Sequence, residues 1–593
     1  MDMVNITMNG QKVSAPPGST ILQAAEQAGI DIPTLCDHPV LISIGACRIC
    51  VVEVKGQRTL ITACTFPITE GMEVQTESPQ VVKARKFIID MLFSERNHYC
   101  PFCEASGNCE LQNLGYRYGL DHWVYPTYTK AFPIDSSHKY LVMEHNRCVL
   151  CGRCERACSD LVGNHTLGLR NRGNSSMIHC DASLPWGDSS CISCGTCSQV
   201  CPTGAIFDRR SSFMGRDEQT EVVKSICSGC SVGCGTEIVT RAGNVLRIQG
   251  DWDAEVSGGL LCQYGRFDPL YEGRERVTKP LLRRAGKLEQ AGWDEALRAI
   301  ADRVGGARAN ELGVLTSSNC TNEALSLLDM LFRRKLKAAN LGLLNDTAPE
   351  QIEPKGWLAD IAKSDVILVV GADPVKDQPV SSFFVKRAVD KGARLIVAGG
   401  KDNGLAPFAS MNVEMADVNK AIEIAGRAAQ PIVLYGAGVT EEAAGVLKKL
   451  QGKAAFVPLE PGVNTRAAVA FGFTNGFKPS AVKVLYALVG EQDCGITDVL
   501  KGVDKNVFLA VQASFKSPVT ERADVVLPMA IWSERTGTLT NTEGRVQKAN
   551  KAVDPAGEAK PDWEVLSLLA EKLGKRLGSS LDEISVNASR QLK

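Results

Sequence analysis

The chain is poor in three things: long apolar runs, net charge and, beyond residue 179, histidine. Nowhere in its 593 residues do about 18 apolar positions run together, so no membrane-spanning helix is expected. The opening residues, Met1 to Gly10, lack the apolar run of a secretion signal, and a cytoplasmic protein is expected. With 66 basic and 67 acidic residues, the net charge of -1 supplies no field that gathers nucleic acid or anionic lipid. No phosphate-binding G-x-x-x-x-G-K-[ST] loop is present, and Gly436-Ala-Gly438-Val-Thr-Glu441 lacks the last glycine of a dinucleotide fingerprint. What remains, 44% hydrophobic and 22% charged residues, belongs to an ordinary globular protein, long enough for about four domains at roughly 150 residues each.

Cysteine is abundant but confined. Of 22 cysteines only Cys320 and Cys494 follow Cys262, and all seven histidines lie between His38 and His179. A disulfide framework belongs to small secreted domains, so the spacing is read for metal instead. Cys36-x10-Cys47-x2-Cys50-x13-Cys64 fits the four soft donors of a [2Fe–2S] cluster, with a zinc ribbon as the alternative. In His98-x-Cys100-x2-Cys103-x5-Cys109, three thiolates need a fourth donor, which the imidazole supplies for a [4Fe–4S] cluster; the alternative is a surface histidine beside a zinc set. Cys148-x2-Cys151-x2-Cys154-x3-Cys158 and Cys191-x2-Cys194-x2-Cys197-x3-Cys201-Pro202 are paired ferredoxin runs. In such runs the fourth cysteine serves the other cluster, so Cys148, Cys151, Cys154 and Cys201 are assigned to one [4Fe–4S], and Cys191, Cys194, Cys197 and Cys158 to the second. Cys227-x2-Cys230-x3-Cys234-x27-Cys262 suits another [4Fe–4S] or zinc. The total is one [2Fe–2S] and four [4Fe–4S], with Cys180, Cys320 and Cys494 left as plain thiols.

Around these sets the chain reads as several domains. Residues 3–14 suggest a hairpin about Asn9-Gly10, and Thr20-x-x-Gln23 a capping box ahead of a helix that Gly29 ends. This is the outline of a β-grasp ferredoxin. A helix over roughly 79–93 is predicted to present Val82, Phe87, Ile88, Met91 and Leu92, with Phe87 and Met91 in the core. From about residue 290, short apolar runs (312–315, 366–370, 395–397, 432–434, 507–511) alternate with helical stretches such as 380–391 and 440–451, which predicts mostly parallel α/β sheets. The expected divisions are 1–78, the β-grasp domain; 79–138, the one-histidine segment; 139–212, the ferredoxin domain; 220–276, the four-cysteine domain; and 277–593, the α/β domain.

In this order the motifs resemble the large iron–sulfur subunit of NADH dehydrogenase complexes, the respiratory complex I family. Residues 95–112 are more similar to the diaphorase iron–sulfur subunit of NAD-linked [NiFe] hydrogenases. Where complex I generally has its ligand histidine, four residues before the first cysteine, this chain has Arg96. The region from Cys227 onward resembles molybdopterin oxidoreductases in Cys262-Gln-Tyr-Gly-Arg266, Arg276–Pro280, Trp293–Leu297, Thr321-Asn322-Glu323, Gly371–Pro374 and Thr540–Gln547. Tyr264 stands where such enzymes carry lysine, residues 336–356 contain neither cysteine nor histidine, and only 46 residues follow Gln547. The resemblance therefore implies a retained fold without molybdopterin and without a catalytic residue of its own.

It also implies an electron-transfer subunit between a flavoprotein that oxidises NADH and a further redox subunit, be it a quinone-reducing module, a hydrogenase or a formate dehydrogenase. Nucleic acid and a direct membrane span are not expected, and contact with the cytoplasmic membrane face would run through partners. Two other readings remain. One is a molybdopterin-containing, NAD-linked formate dehydrogenase catalytic subunit; the other, an [FeFe] hydrogenase, lacks the further cysteines its active-site cluster needs.

Overall fold

The computed structural model describes residues 3–126, 131–400, 402–500, 502–504, 506–578 and 580–592. The chain forms two compact units, Met1–Thr220 and Glu221–Lys593.

In the first unit, β1 (Val4–Met8) and β2 (Gln11–Ala15) pair antiparallel, Val4 opposite Ala15. Asn9 (φ +53°) and Gly10 (φ +83°) supply the left-handed turn the dipeptide predicted. The expected capping box opens α1 (Ile21–Gln27): the Gln23 N–H donates to the Thr20 hydroxyl at 3.2 Å, and the Thr20 N–H donates to the Gln23 side chain at 2.9 Å. With β3 (Val51–Val54), β4 (Ile61–Thr62) and β5 (Glu73–Gln75) the sheet runs β2-β1-β5-β3-β4. Ile6, Met8, Ile21, Leu22, Val52 and Val74 fill its core, and Cys50 and Cys64 lie in the same cluster.

Helix α2 (Pro79–Glu95) matches its predicted position, and Val82, Ile88 and Leu92 pack against the core as expected, but Phe87 and Met91 do not. Phe87 is 53% and Met91 44% exposed, whereas Val81, Arg85, Ile89, Asp90 and Phe93 are buried. The reason is Arg85, wholly buried because it donates to the carbonyls of Ile49 (3.0 Å) and Val51 (2.8 Å), to Tyr118 and to Glu77. These bonds hold the Arg85 side of the helix inward, and Phe87 and Met91 fall on the outer side. After α3 (Glu110–Arg117) the regular elements are short: β6 (Ile134–Asp135), β7 (Leu141–Glu144), α4 (Arg153–Arg156), β8 (Leu167–Arg170), β9 (Met177–Cys180), α5 (Thr196–Gln199) and β10 (Ile206–Asp208).

The second unit starts with an antiparallel sheet of Glu221–Ile226, Gly235–Arg241 and Asn244–Gly250. A seven-stranded sheet follows, with Asn340–Leu343, Leu312–Thr316, Val484–Gly490, Phe508–Ala513 and Val525–Pro528 parallel and a hairpin, Leu281–Arg284 with Lys287–Gln290, at one edge. A five-stranded sheet is parallel throughout, in the order Met411–Val413, Arg394–Ala398, Val366–Val370, Pro431–Gly436, Ala455–Leu459. Every residue of Val366–Val370 is buried, as a strand covered on both faces must be. Helix Trp293–Gly306 turns Leu297, Ile300 and Val304 inward, spaced along one helix face. No helix among the described residues is long and apolar enough to cross a membrane.

Candidate metal centres

The Cys36 loop reaches from the end of α1 back into the sheet core, and Cys36, Cys50 and Cys64 are buried while Cys47 is half-buried. The Cys36 N–H donates to Cys47 Sγ at 3.3 Å and the Cys47 N–H to Cys36 Sγ at 3.4 Å. Hydrogen bonds from Cys47 and Cys64 hold the Cys36 thiol far below its usual range. The anion so favoured pushes Cys47 and Cys64 up. Four crowded sulfurs with no cation among them can neither all ionise nor all be solvated; bound ferric iron removes that conflict, so the donor set fits a cluster.

Beyond α2, His98 packs edge-on against Phe93, with ring centroids 5.6 Å apart, and meets Cys100, Cys103 and Cys109 around a cavity of about 20 Å³. Its Nε2 is buried without a hydrogen-bond partner. Burial, with the charges of Arg147 and Arg96, pushes the imidazole down to about 4, so it stays neutral, the form that ligates metal. Thr203 and Gly204 close the cavity from the far end of the second ferredoxin run. A Cβ on Gly204 would stand 2.6 Å from Cys103 Sγ, so only glycine lets the chain pass so near the sulfur.

The paired runs fold as near copies. Each turns through Gly152 or Gly195, both at φ +70° and ψ 7°, into a four-residue helix, α4 or α5. Cys148, Cys151 and Cys154 line one cavity of about 20 Å³ together with Cys201, the last cysteine of the other run. Burial drives Cys148 up to about 11 and Cys151 to about 12, and raises Cys154 well above its usual range. The second group also assembles: burial and then Cys194 and Cys158, among other neighbours, push Cys191 up to about 11, and Cys197 rises through burial and its neighbours Cys194, Cys191, Cys154 and Cys158. Cys154 stands among those neighbours, so the two groups adjoin. His145, buried with Nδ1 unpartnered, lines the first cavity, a position that no spacing rule had marked.

In the second unit, Cys227, Cys230, Cys234 and Cys262 come together at the mouth of the antiparallel sheet, where the Cys227 N–H donates to the Cys234 carbonyl at 2.9 Å. Burial and the nearby Cys262 push Cys227 up to about 12, and Cys230 and Cys234 rise for like reasons. Tyr264 packs against Gly229, where a Cβ would sit 2.3 Å from its ring. The Thr540–Gln547 motif clasps this loop: the Thr542 N–H donates to the Ser231 carbonyl (2.7 Å), Asn541 Nδ2 to Val232 (3.2 Å) and Gln547 Nε2 to Gly233 (3.0 Å). Gly371 and Gly438 prove to be packing glycines, the Gly438 N–H bonding the Gly371 carbonyl at 2.9 Å where two strand ends meet. Arg153 and Arg156, buried in α4, went unnoticed in the sequence because nothing in their spacing marks them.

Several family models match the chain: a 2Fe-2S iron-sulfur cluster binding domain at 1–79, an NADH-ubiquinone oxidoreductase-G iron-sulfur binding region at 85–123, a 4Fe-4S binding domain at 185–207, a molybdopterin oxidoreductase Fe4S4 domain at 220–269, and molybdopterin oxidoreductase at 276–450 and 450–572. The mitochondrial NADH-ubiquinone oxidoreductase 78 kDa subunit of Neurospora crassa is 30% identical, over 97% of this chain and 81% of its own. NADH-quinone oxidoreductase subunit 3 of Thermus thermophilus is 29% identical, over 97% and 83%. Among solved structures, an NAD+-reducing [NiFe]-hydrogenase in its H2-reduced state matches at 36% identity and a TM-score of 0.34, covering 36% of this chain and 90% of that one. The chain belongs to the family of the large iron–sulfur subunit of NADH dehydrogenase complexes, the NADH-quinone oxidoreductases.

Proposed function

We propose that the chain is the iron–sulfur electron-transfer subunit of an NADH dehydrogenase-type oxidoreductase, and that it carries one [2Fe–2S] and four [4Fe–4S] clusters. Its ligands are Cys36, Cys47, Cys50 and Cys64; His98, Cys100, Cys103 and Cys109; Cys148, Cys151, Cys154 and Cys201; Cys191, Cys194, Cys197 and Cys158; and Cys227, Cys230, Cys234 and Cys262. Its domains divide at 1–78, 79–138, 139–212, 220–276 and 277–593, so that each ligand set but the crossed ferredoxin pair has a domain to itself. The observation that carries the reading is the cavity shared by Cys148, Cys151, Cys154 and Cys201, a pairing across the two runs that a mononuclear zinc site does not require.

Such clusters supply one-electron transfer without proton chemistry. The chain's own residues hold, insulate and tune. Buried cysteines keep water from the sulfur, backbone N–H groups such as that of Cys47 donate to sulfur, and the neutral His98 removes one negative charge from its set. We assign no catalytic residue and no molybdopterin to the chain. That assignment is supported by residues 336–356, which hold neither cysteine nor histidine, and by Tyr264 in the lysine position. A flavoprotein subunit that oxidises NADH is its electron donor. A further redox subunit, quinone-reducing or hydrogenase-like, is its acceptor, and contact with the cytoplasmic membrane face runs through these partners.

Anaerobic iron and sulfide analysis tests the assignment: about 18 irons per chain are expected, against about 14 if the last site holds zinc. Stoichiometric molybdenum with a pterin would instead establish the formate dehydrogenase reading. His98→Cys, which restores a thiolate, should lower the reduction potential of that one centre in an EPR-monitored titration; an unmoved potential removes His98 from the ligand set.

A further inference from the structure

Two arginines tie the Cys36 loop to the first ferredoxin run, and the motif that holds the clusters does not call for them. Arg156, 8% exposed, donates from Nη2 to the carbonyls of Cys36 (2.5 Å) and Cys151 (3.3 Å), from Nη1 to that of Ile42 (2.6 Å) and from Nε to that of Gly152 (3.2 Å). One guanidinium thus joins the backbone of a candidate [2Fe–2S] ligand to that of a candidate [4Fe–4S] ligand. Arg153, 3% exposed, donates to the Asp37 carbonyl (2.5 Å) and the Val200 carbonyl (3.5 Å), and grips Glu110 through two bonds of 2.6 and 2.9 Å. Asp37 follows Cys36, Val200 precedes Cys201 and Glu110 follows Cys109, so three ligand segments converge on one side chain.

The second run serves as an internal control. Its backbone repeats the first, with Gly195 at the φ and ψ of Gly152, yet Thr196 and Gln199 stand where the first run has Arg153 and Arg156. Cluster ligation therefore does not demand arginine at these places. The arginines occur in the run whose helix, α4, faces the Cys36 loop.

We propose that Arg153 and Arg156 are positioning residues for electron transfer within the chain. They fix the gap between the Cys36 site and the Cys148–Cys201 site, and their permanent charge raises the electron affinity of both. An electron arriving in a buried centre adds negative charge where screening is weak, so a cation bonded to that centre's own backbone favours reduction. Lysine keeps the charge but loses the planar fork that spans Cys36 and Cys151, which separates the two roles.

The inference rests on the cluster assignment, and its test tells the two apart. Anaerobically prepared full-length chain is compared with Arg156→Gln, Arg156→Lys and Arg153→Gln, with Thr196→Ala as control. Iron and sulfide content, an EPR redox titration and the spin-relaxation enhancement of the [2Fe–2S] signal by its reduced [4Fe–4S] neighbour are measured. Arg156→Gln should retain its iron and, at a potential where wild type is half reduced, show about a tenfold lower ratio of reduced to oxidised centre at both sites, equal to about 59 mV for one electron. Its relaxation enhancement should change as well. Arg156→Lys should recover the potentials but not the relaxation, Arg153→Gln should follow Arg156→Gln, and Thr196→Ala should change neither quantity. Potentials and relaxation that match wild type in both Gln variants overturn the proposal. If Arg156→Gln does not load iron, Arg156→Lys decides by its relaxation alone. Wild-type chain without iron and sulfide overturns the cluster assignment and this inference with it.

Discussion

The stretch from β6 to β10 and the parallel sheet from Val366 to Leu459 solve opposite problems. In the first, no strand among the described residues exceeds four residues, the longest helical stretch runs only from Arg153 to Leu161, and sulfur lines a cavity in the interior. Isolated helices that short do not hold themselves in water, and thiols pushed well above their usual range by burial add nothing to stability. In the second, Ile367, Leu368, Val369, Val370, Ile396, Val433 and Leu434 are fully buried between helices. One region is organised around what it holds, the other around its own side chains. Metal and fold are coupled in the first and separable in the second.

The largest expected effect follows from that coupling. Oxidative removal of iron with a chelator should strip hydrogen-exchange protection from residues 134–208 almost entirely while leaving 366–459 protected. Equal loss in both regions, or none in the first, would break the comparison. The complementary change is Leu368→Ala, at the centre of the five-stranded sheet. It should destabilise that region by about 2–5 kcal/mol in denaturant unfolding, yet leave iron content and EPR signals as in wild type.

The same contrast governs what the sequence revealed. Sulfur spacing is a covalent-scale rule, so Cys201 could be paired with the other run, and it lines one cavity with Cys148, Cys151 and Cys154. Local backbone rules served as well: Thr20 and Gln23 form their capping box, and the run 366–370 is a strand at those bounds. Side chains whose place depends on carbonyls far away in sequence were not legible. Arg85 reaches Ile49 and Val51, and Arg153 and Arg156 reach the Cys36 loop across more than a hundred residues. A hydropathy pattern puts every arginine outside, and so it turned Phe87 and Met91 inward on α2. Gly204 escaped notice for a related reason, since its need for glycine comes from Cys103, not from its own turn.

The smallest expected effect concerns a buried carboxyl of the second unit, pushed up by burial as the thiols of the first unit are. Glu460, 5% exposed, is raised by burial to about 7, against the weaker opposing pulls of the Ala348 N–H and Arg466. Its backbone pairs with Ser231 in the cysteine loop, the Glu460 N–H reaching the Ser231 hydroxyl at 3.0 Å. Where the sulfur sites relieve a buried anion with iron, Glu460 relieves it with a proton. Its folded pKa lies above the usual carboxylate value, so the stability it allows is complete below about 4.5 and is lost as pH rises through about 7. Glu460→Gln keeps the shape and cannot ionise. Urea midpoints of the second unit should coincide for the two chains at pH 4.5 and diverge by pH 8, the glutamine variant then being the more stable by up to about 3 kcal/mol. Parallel curves across that range would mean that the carboxylate is accommodated without penalty, and that buried charge is handled alike in both units.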